Sequence, residues 1–498
     1  MKRREFLRHS CLAAVAAAQT PALLAGTAAE QTRGRPNILF IMTDQQFGDA
    51  MSCRIGKECI HTPAMDSLAE TGMLYTRAYS ANPLCMPARN SIFTGRYPHE
   101  TGVTRNARVK LDTKEFVNMG TYFRQAGYET YYVGKWHLCF DPKTTDAHGF
   151  ETAECLHGNG HDGEVADLAV KYLSGKRGKQ AGPFLAVVSL SNPHDICQFS
   201  RDQRLPSGPI GETPPPGECP PVPANLAPPV NETDTMTTLR KGYQGPGSKF
   251  PVGDFSEGKW RQLRWGYYRL IEKVDAEIGK VLDALRKAGR EDDTVIIFTS
   301  DHGECAGAYR FNQKTVFYDE SARIPFIVSF KGKTAKGTCD KLVNTGIDIL
   351  PTMLDFAGIL VPEKLPGRSV RPIALGQPPS DWRDHAVVQN HLSQTVPVDG
   401  IRAMAQGRMV RTDRYKYCVY DHGTQRESLV DMEKDPLETR NLATDPAYRK
   451  IVEQHRNLLL AFAAKHNDEL VKDIYANGMA LRPFEASKPR SRKKTKKK

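Results

Sequence analysis

A large α/β domain is the fold class this 498-residue sequence predicts, built on a mixed but mostly parallel sheet sandwiched by helices and followed by a smaller C-terminal domain with an antiparallel sheet. Three observations predict it. Short apolar, β-branched runs alternate with helical stretches, and each run stops abruptly at charged or imidazole side chains, the pattern of buried parallel strands that carry ligands at their carboxyl edge. The stretch from Trp260 to Leu285 keeps apolar residues at three- and four-residue steps, as a helix covering such a sheet must. Near Pro372 to Arg383 the texture changes to short alternating segments, which suit antiparallel strands.

Taken in order, Asn37 to Met42 reads as the first buried strand and ends in Thr43-Asp44-Gln45-Gln46. Thr62 as cap and Pro63 as first helical residue open a helix that closes at Gly72. The run Leu84-Cys85-Met86-Pro87-Ala88-Arg89 puts a cysteine at a helix start, four residues before an arginine. Helix amides and a guanidinium both favour a thiolate there, while a small buried thiol is the plainer structural alternative. Glu129 to Val133 runs into Gly134-Lys135-Trp136-His137, Phe184 to Leu190 into Ser191-Asn192-Pro193-His194, and Thr294 to Thr299 into Ser300-Asp301-His302. Four such strand ends place Asp44, His137, His194 and Asp301 in one pocket. Leu263, Tyr267, Leu270, Val274 and Ile278 read as core rather than site, and the proline-rich stretch 205–230 as an extended surface insertion near the pocket mouth. Met409 to Thr412, Tyr415 to Tyr420 and Leu429 to Pro436 read as strands of the second sheet, closed by a helix from about Ala447 to His466. The expected division is a catalytic domain over 36–375 and a small α+β domain over 376–480.

The formal charge of +12 suggests nucleic acid at first sight, but it sits at the ends. Residues 481–498 hold nine basic residues and one acid, residues 1–29 four basic and one acid, and the body between them is left at only +1. The tail reads as a disordered, solvated polycation, and no nucleic-acid partner is expected. Arg3-Arg4-Glu5-Phe6-Leu7-Arg8 ahead of an alanine-rich stretch, with small residues at 26–29, resembles a twin-arginine export signal, so residues 1–29 are expected to direct export to the periplasm or beyond. No apolar run is long enough to span a bilayer, so no integral membrane segment is expected. Eleven cysteines fall to ten without Cys11, and their spacing forms no zinc pattern and no dense disulfide scaffold, which fits mostly reduced, buried thiols in a chain exported folded.

Two motifs carry a resemblance. Cys85-Met-Pro-Ala-Arg89 with Thr94-Gly95-Arg96 matches the short Cys-x-Pro-x-Arg signature of type I sulfatases, formylglycine-dependent enzymes of the alkaline-phosphatase-like superfamily. Gly127-Tyr-Glu-Thr-Tyr-Tyr-Val-Gly-Lys135-Trp-His137 matches the second signature of that family, and the likeness extends through Ser300 to Glu304, Lys314, and Leu429 to Asn441. The resemblance implies that a formylglycine-generating enzyme oxidises Cys85 to an aldehyde whose hydrate is the nucleophile, with Arg89 holding that side chain. It implies Asp44, Gln45, Asp301, His302 and residue 85 as ligands of one divalent ion, with Ca2+ expected and Mn2+ or Mg2+ compatible. Lys135 and Lys314 would neutralise sulfate oxygens, His137 would act as base and His194 would assist the leaving group. The substrate implied is a sulfate ester on a small molecule or, for an exported enzyme, on a glycan. Many relatives have a second aspartate where this chain has Gln45, and a Gly-x-His is replaced by Gly307-Ala308-Tyr309. Gln45 keeps open a phosphonate monoester or phosphate diester hydrolase of the same superfamily, and an unmodified Cys85 would leave a noncatalytic binder of sulfated glycan.

Overall fold

The computed structural model describes residues 34–156, 158–175, 182–244, 252–393, 396–476 and 484. The proposed export signal and nearly all of the basic tail lie outside them. Strands β1 (Asn37–Asp44), β2 (Met73–Tyr75), β4 (Glu129–Lys135), β5 (Thr152–Leu156), β6 (Phe184–Pro193), β7 (Thr294–Ser300), β8 (Phe326–Ser329) and β9 (Gly337–Cys339) form one sheet. Its order is β5-β4-β6-β1-β7-β8-β2-β9. Strand β1 lies central and parallel to both neighbours, Ile38 opposite Leu185 on one side and Val295 on the other. Only β8 runs antiparallel, against both β7 and β2. All eight residues of β1 are buried, which is why it reads as a continuous apolar run rather than an alternating one. Strands β3 (Ala78–Tyr79) and β10 (Val343–Asn344) pair beside it, and β11 (His385–His391), β12 (Gln406–Thr412), β13 (Tyr415–Tyr420) and β14 (Glu427–Asp431) form a separate antiparallel sheet.

Helices cover both faces of the large sheet: α1 (Pro63–Thr71), α2 (Cys85–Thr94), α3 (Asp162–Leu173), α4 (Glu257–Lys287) and α5 (Thr345–Phe356). The alternation of β1 explains the two layers. Phe40 and Met42 join Phe93, Ile349 and Met353 under α2 and α5, whereas Leu39 and Ile41 face Val274, Ile278 and Val281 of α4. Helix α6 (Arg449–His466) packs on the small sheet through Val452, Leu459 and Phe462. Among the described residues no helix is long and apolar enough to cross a membrane.

Two expectations are corrected and one is sharpened. Thr62 occupies the cap position of α1, but its hydroxyl binds Asp66 and the Ser52 amide; the first amides of the helix, Ala64 and Met65, donate instead to Asp275 of α4 at 3.0 and 2.8 Å. A long-range carboxylate outcompetes the local hydroxyl because it accepts two amides at once. The 205–230 insertion begins near the cleft, where the Ser207 amide donates to Asp195 at 2.9 Å, next to His194. It is strapped along α4, where Arg261 donates to the Cys219 carbonyl and Gln262 to the Pro214 carbonyl, and it then reaches the small sheet through Val230 and Thr439. Of the ten described cysteines, all unpaired, only five are buried; Cys53 is exposed.

Candidate active site

The carboxyl ends of β1, β4, β6 and β7 converge on the first turn of α2. All ten residues of that helix are buried, and Cys85 stands at its start with its Sγ 3.1 Å from His302 Nε2, 3.4 Å from Lys314 Nζ and 4.0 Å from an Asp44 oxygen. Burial and Asp44 push the Cys85 thiol up, but Lys314, His302 and Lys135 outweigh them and hold it well below the ordinary thiol range. Arg89, one helical turn on, is completely buried and spans the site: Nε lies 2.7 Å from Asp301, one amino group 2.9 Å from Asp44, and the other donates to Ser189 and the Lys135 carbonyl. Tyr132 and Ser189 donate to the same carbonyl, so the end of β4 is fixed where Lys135 turns toward Asp44, at 2.7 Å.

Asp44, Cys85, Asp301 and His302 bring four ligand atoms within 4.8 Å of one another, all buried. The donor chemistry fits a divalent cation. His302 Nδ1 sits 2.9 Å from the Gly303 carbonyl, which can only accept, so Nδ1 carries the proton and Nε2 turns its lone pair to the cluster. Two hard carboxylates complete the set. Their proton affinities are pushed apart: Lys135, His194 and Arg89 overcome burial and hold Asp44 well below the carboxylate range, while burial and the Asp44 charge lift Asp301 to about 6. Gln45 adds a neutral oxygen beside them. Its Nε2 donates to Glu304 at 2.6 Å, which leaves Oε1 facing Lys314. Tyr267 donates to the Gln45 carbonyl and accepts from the Phe47 amide, so a residue read from spacing as plain core also clamps this loop.

His137 and His194 stand over Cys85 in a cleft of about 310 Å³, together with Met86, Asn106, Arg108 and Asn159. His194 Nδ1 accepts from the Asn159 amide at 2.9 Å, and burial followed by Lys314 and Lys135 pulls its pKa down to about 4, so its neutral ring turns Nε2–H toward the cleft. Gln45, His137 and Thr315 adopt left-handed backbone, with φ of 73°, 49° and 80°. Three such non-glycine residues beside one cluster mark a site that its surroundings hold in place.

A sulfatase family pattern matches residues 36–359, and the pattern of the C-terminal part of N-sulphoglucosamine sulphohydrolase matches 307–465. The chain belongs to the sulfatase family. It is a sulfuric ester hydrolase on the alkaline-phosphatase-like fold. This sulfatase is 30% identical over 463 residues to a Delta 4,5-hexuronate-2-O-sulfatase of Bacteroides thetaiotaomicron, a match covering 89% of this chain and 92% of that protein. A solved 2-O GAG sulfatase superposes with a TM-score of 0.75 at 27% identity, over 91% of this chain and 95% of that one. A phosphonate monoester hydrolase of Agrobacterium radiobacter superposes at 0.70 and 25% identity, over 87% and 96%.

Several of the sulfatase's site neighbours had no role in the sequence reading. Ser189 lies inside a buried strand, and Asn106, Arg108 and Asn159 lie in loops, where no period says which way a side chain points. Glu304 could have been found, since it follows Asp301-His302-Gly303 directly. Tyr309, at the position where the family resemblance implies a histidine, is absorbed in packing: its ring stacks on Tyr318 and its hydroxyl donates to the Leu437 carbonyl.

Proposed function

We propose that this sulfatase is exported and cleaves sulfate esters of a sulfated carbohydrate, using residue 85 as formylglycine and one divalent ion, Ca2+ before Mn2+ or Mg2+. One observation carries the reading: three cations, Arg89, Lys135 and Lys314, and three imidazoles, His137, His194 and His302, surround Cys85 against two carboxylates at the ligand cluster, Asp44 and Asp301, with Glu304 set behind Gln45. That excess of positive charge suits an anionic ester and the further negative charge of its transition state. The Cys85 sulfur here stands where the oxygens of the hydrated aldehyde would lie. A bound divalent ion, held by Asp44, Gln45, Asp301, His302 and residue 85, would polarise the ester and favour the ionised hydroxyl.

Lys135 and Lys314 orient the sulfate oxygens so that one hydroxyl of hydrated residue 85 meets sulfur opposite the carbohydrate oxygen. The attacking hydroxyl would lose its proton to solvent as it ionises, its oxygen would bond to sulfur while the S–O bond to the carbohydrate breaks, and the His194 Nε2–H would hydrogen-bond the departing oxygen as that oxygen takes a proton from solvent. His137 then removes the proton of the remaining hydroxyl, the C–O bond to sulfate breaks and the aldehyde returns. Maturation requires a formylglycine-generating enzyme. The relative that acts on a hexuronate 2-O-sulfate and the 2-O GAG sulfatase structure support a uronate-containing polysaccharide fragment as substrate.

Gln45 and the likeness to a phosphonate monoester hydrolase favour a second reading, a phosphonate or phosphate diester hydrolase. Parallel assays with aryl sulfate and aryl phosphonate separate the two: the expected result is a higher kcat/KM on the sulfate, and the reverse order overturns the choice. Mass spectrometry of the peptide containing residue 85 should find a loss of about 18 daltons, the change expected when the thiol becomes an aldehyde. An unmodified peptide from active protein rejects the nucleophile.

A further inference from the structure

Arg108 differs from the other cations of the site. Arg89, Lys135 and Lys314 are all engaged with Asp44, Asp301 or Gln45 at the cluster, whereas Arg108 lies on the outer wall, is exposed, and has no carboxylate partner among the described residues. Among the described residues, no aspartate or glutamate lines the cleft. The loop that carries Arg108 is pinned on both sides of it. Asn106 accepts from the Met86 amide at 3.1 Å, supplying at the start of α2 the cap that Leu84 cannot, and the Val109 amide donates to Cys139 Sγ at 3.5 Å. A guanidinium with two tethers beside it and no internal counter-ion is positioned for an anion from outside.

We infer that Arg108 reads a second anionic group, a carboxylate or a further sulfate, on the saccharide that bears the ester under attack. The inference rests on the proposed carbohydrate sulfatase activity and sharpens it: the substrate carries at least two negative charges, one consumed at residue 85 and one held by Arg108. Because the second group does not change between ground and transition states, Arg108 contributes binding equally to both and acts on KM rather than kcat.

The test measures wild type, Arg108→Ala and Arg108→Lys on four substrates: 4-nitrophenyl sulfate, a sulfated uronate saccharide, its carboxyl-reduced counterpart, and a disulfated neutral saccharide. The expected result is a KM raised roughly tenfold or more by Arg108→Ala on a doubly anionic saccharide, as loss of a charge-assisted hydrogen bond predicts. On 4-nitrophenyl sulfate, KM should stay within about twofold, since that ester offers no second anion. Arg108→Lys should recover part of the loss, and added salt should weaken wild type more than Arg108→Ala. A loss confined to the uronate identifies a carboxylate, and a loss confined to the disulfated sugar identifies a sulfate. Equal effects on all four substrates, or none, overturn the inference while the sulfatase reading stands. Wild-type protein that turns over no sulfate ester overturns that reading as well.

Discussion

Arg89 is the residue on which the site's electrostatics turn, because it is charged, fully buried and shared by both aspartates. A buried ion pair adds little net stability, yet breaking one side strands the other in a dry interior. Arg89→Ala should therefore cost about 3–5 kcal/mol in urea unfolding as well as abolish turnover. His194 makes a separate prediction. Its folded pKa of about 4 lies below the unfolded value, so the folded chain binds fewer protons than the unfolded one between those limits. The stability tied to neutral His194 is complete above roughly pH 6.5 and falls as pH drops toward 4, by at most about 3 kcal/mol. Replacing His194 with Gln should flatten the stability profile in that window, and an unchanged slope would show that other groups set it. At this scale the buried acids and bases were legible, because Asp44, Lys135, His137, His194 and Asp301 each terminate an unmistakable apolar run. Asn106 and Asn159 were not, since their directions are set by bonds to residues 20 and 35 positions away, nor was Arg108, whose loop is held by the bond from the Val109 amide to Cys139.

The elements show the same division between local and distant causes. Strands β1, β4, β6 and β7 are buried on both faces, and continuous hydrophobicity announces them. Strands β2, β8 and β9 have only three or four residues each, too few for any period, and they exist because the neighbouring strands present unpaired backbone. Strand β11 was hidden between histidines at both of its ends. The start of α1 offers the clearest test of a distant cause, because its capping carboxylate belongs to α4. Asp275→Ala should lower stability by about 1–2 kcal/mol, the usual loss of a cap, and leave kcat unchanged. Thr62→Val should cost less at the helix start, because Thr62 does not accept those amides.

Across the whole molecule, the small sheet braces the segment that delivers Lys314. Lys416 of β13, 1% exposed in its side chain, reaches Asp319 at 2.6 Å, the Phe317 carbonyl at 3.1 Å and Glu438. Lys416→Ala should destabilise the chain by roughly 3–5 kcal/mol, since it leaves two carboxylates buried together. Scanning calorimetry would show whether the loss falls on one cooperative transition, as a brace shared by both sheets requires. The two-sheet plan was legible from the change in texture after residue 372, but this brace was not, since a lone lysine in an alternating strand reads as its solvent face.

The burial of every residue from Cys85 to Thr94 also sets an order in time. With 2% of Cys85 accessible and α2 wedged between the sheet and α5, no second protein can reach that sulfur in the finished fold. If residue 85 is formylglycine, as proposed, the enzyme that oxidises it would have to meet the chain before α2 docks, ahead of the finished fold and in whichever compartment the chain folds.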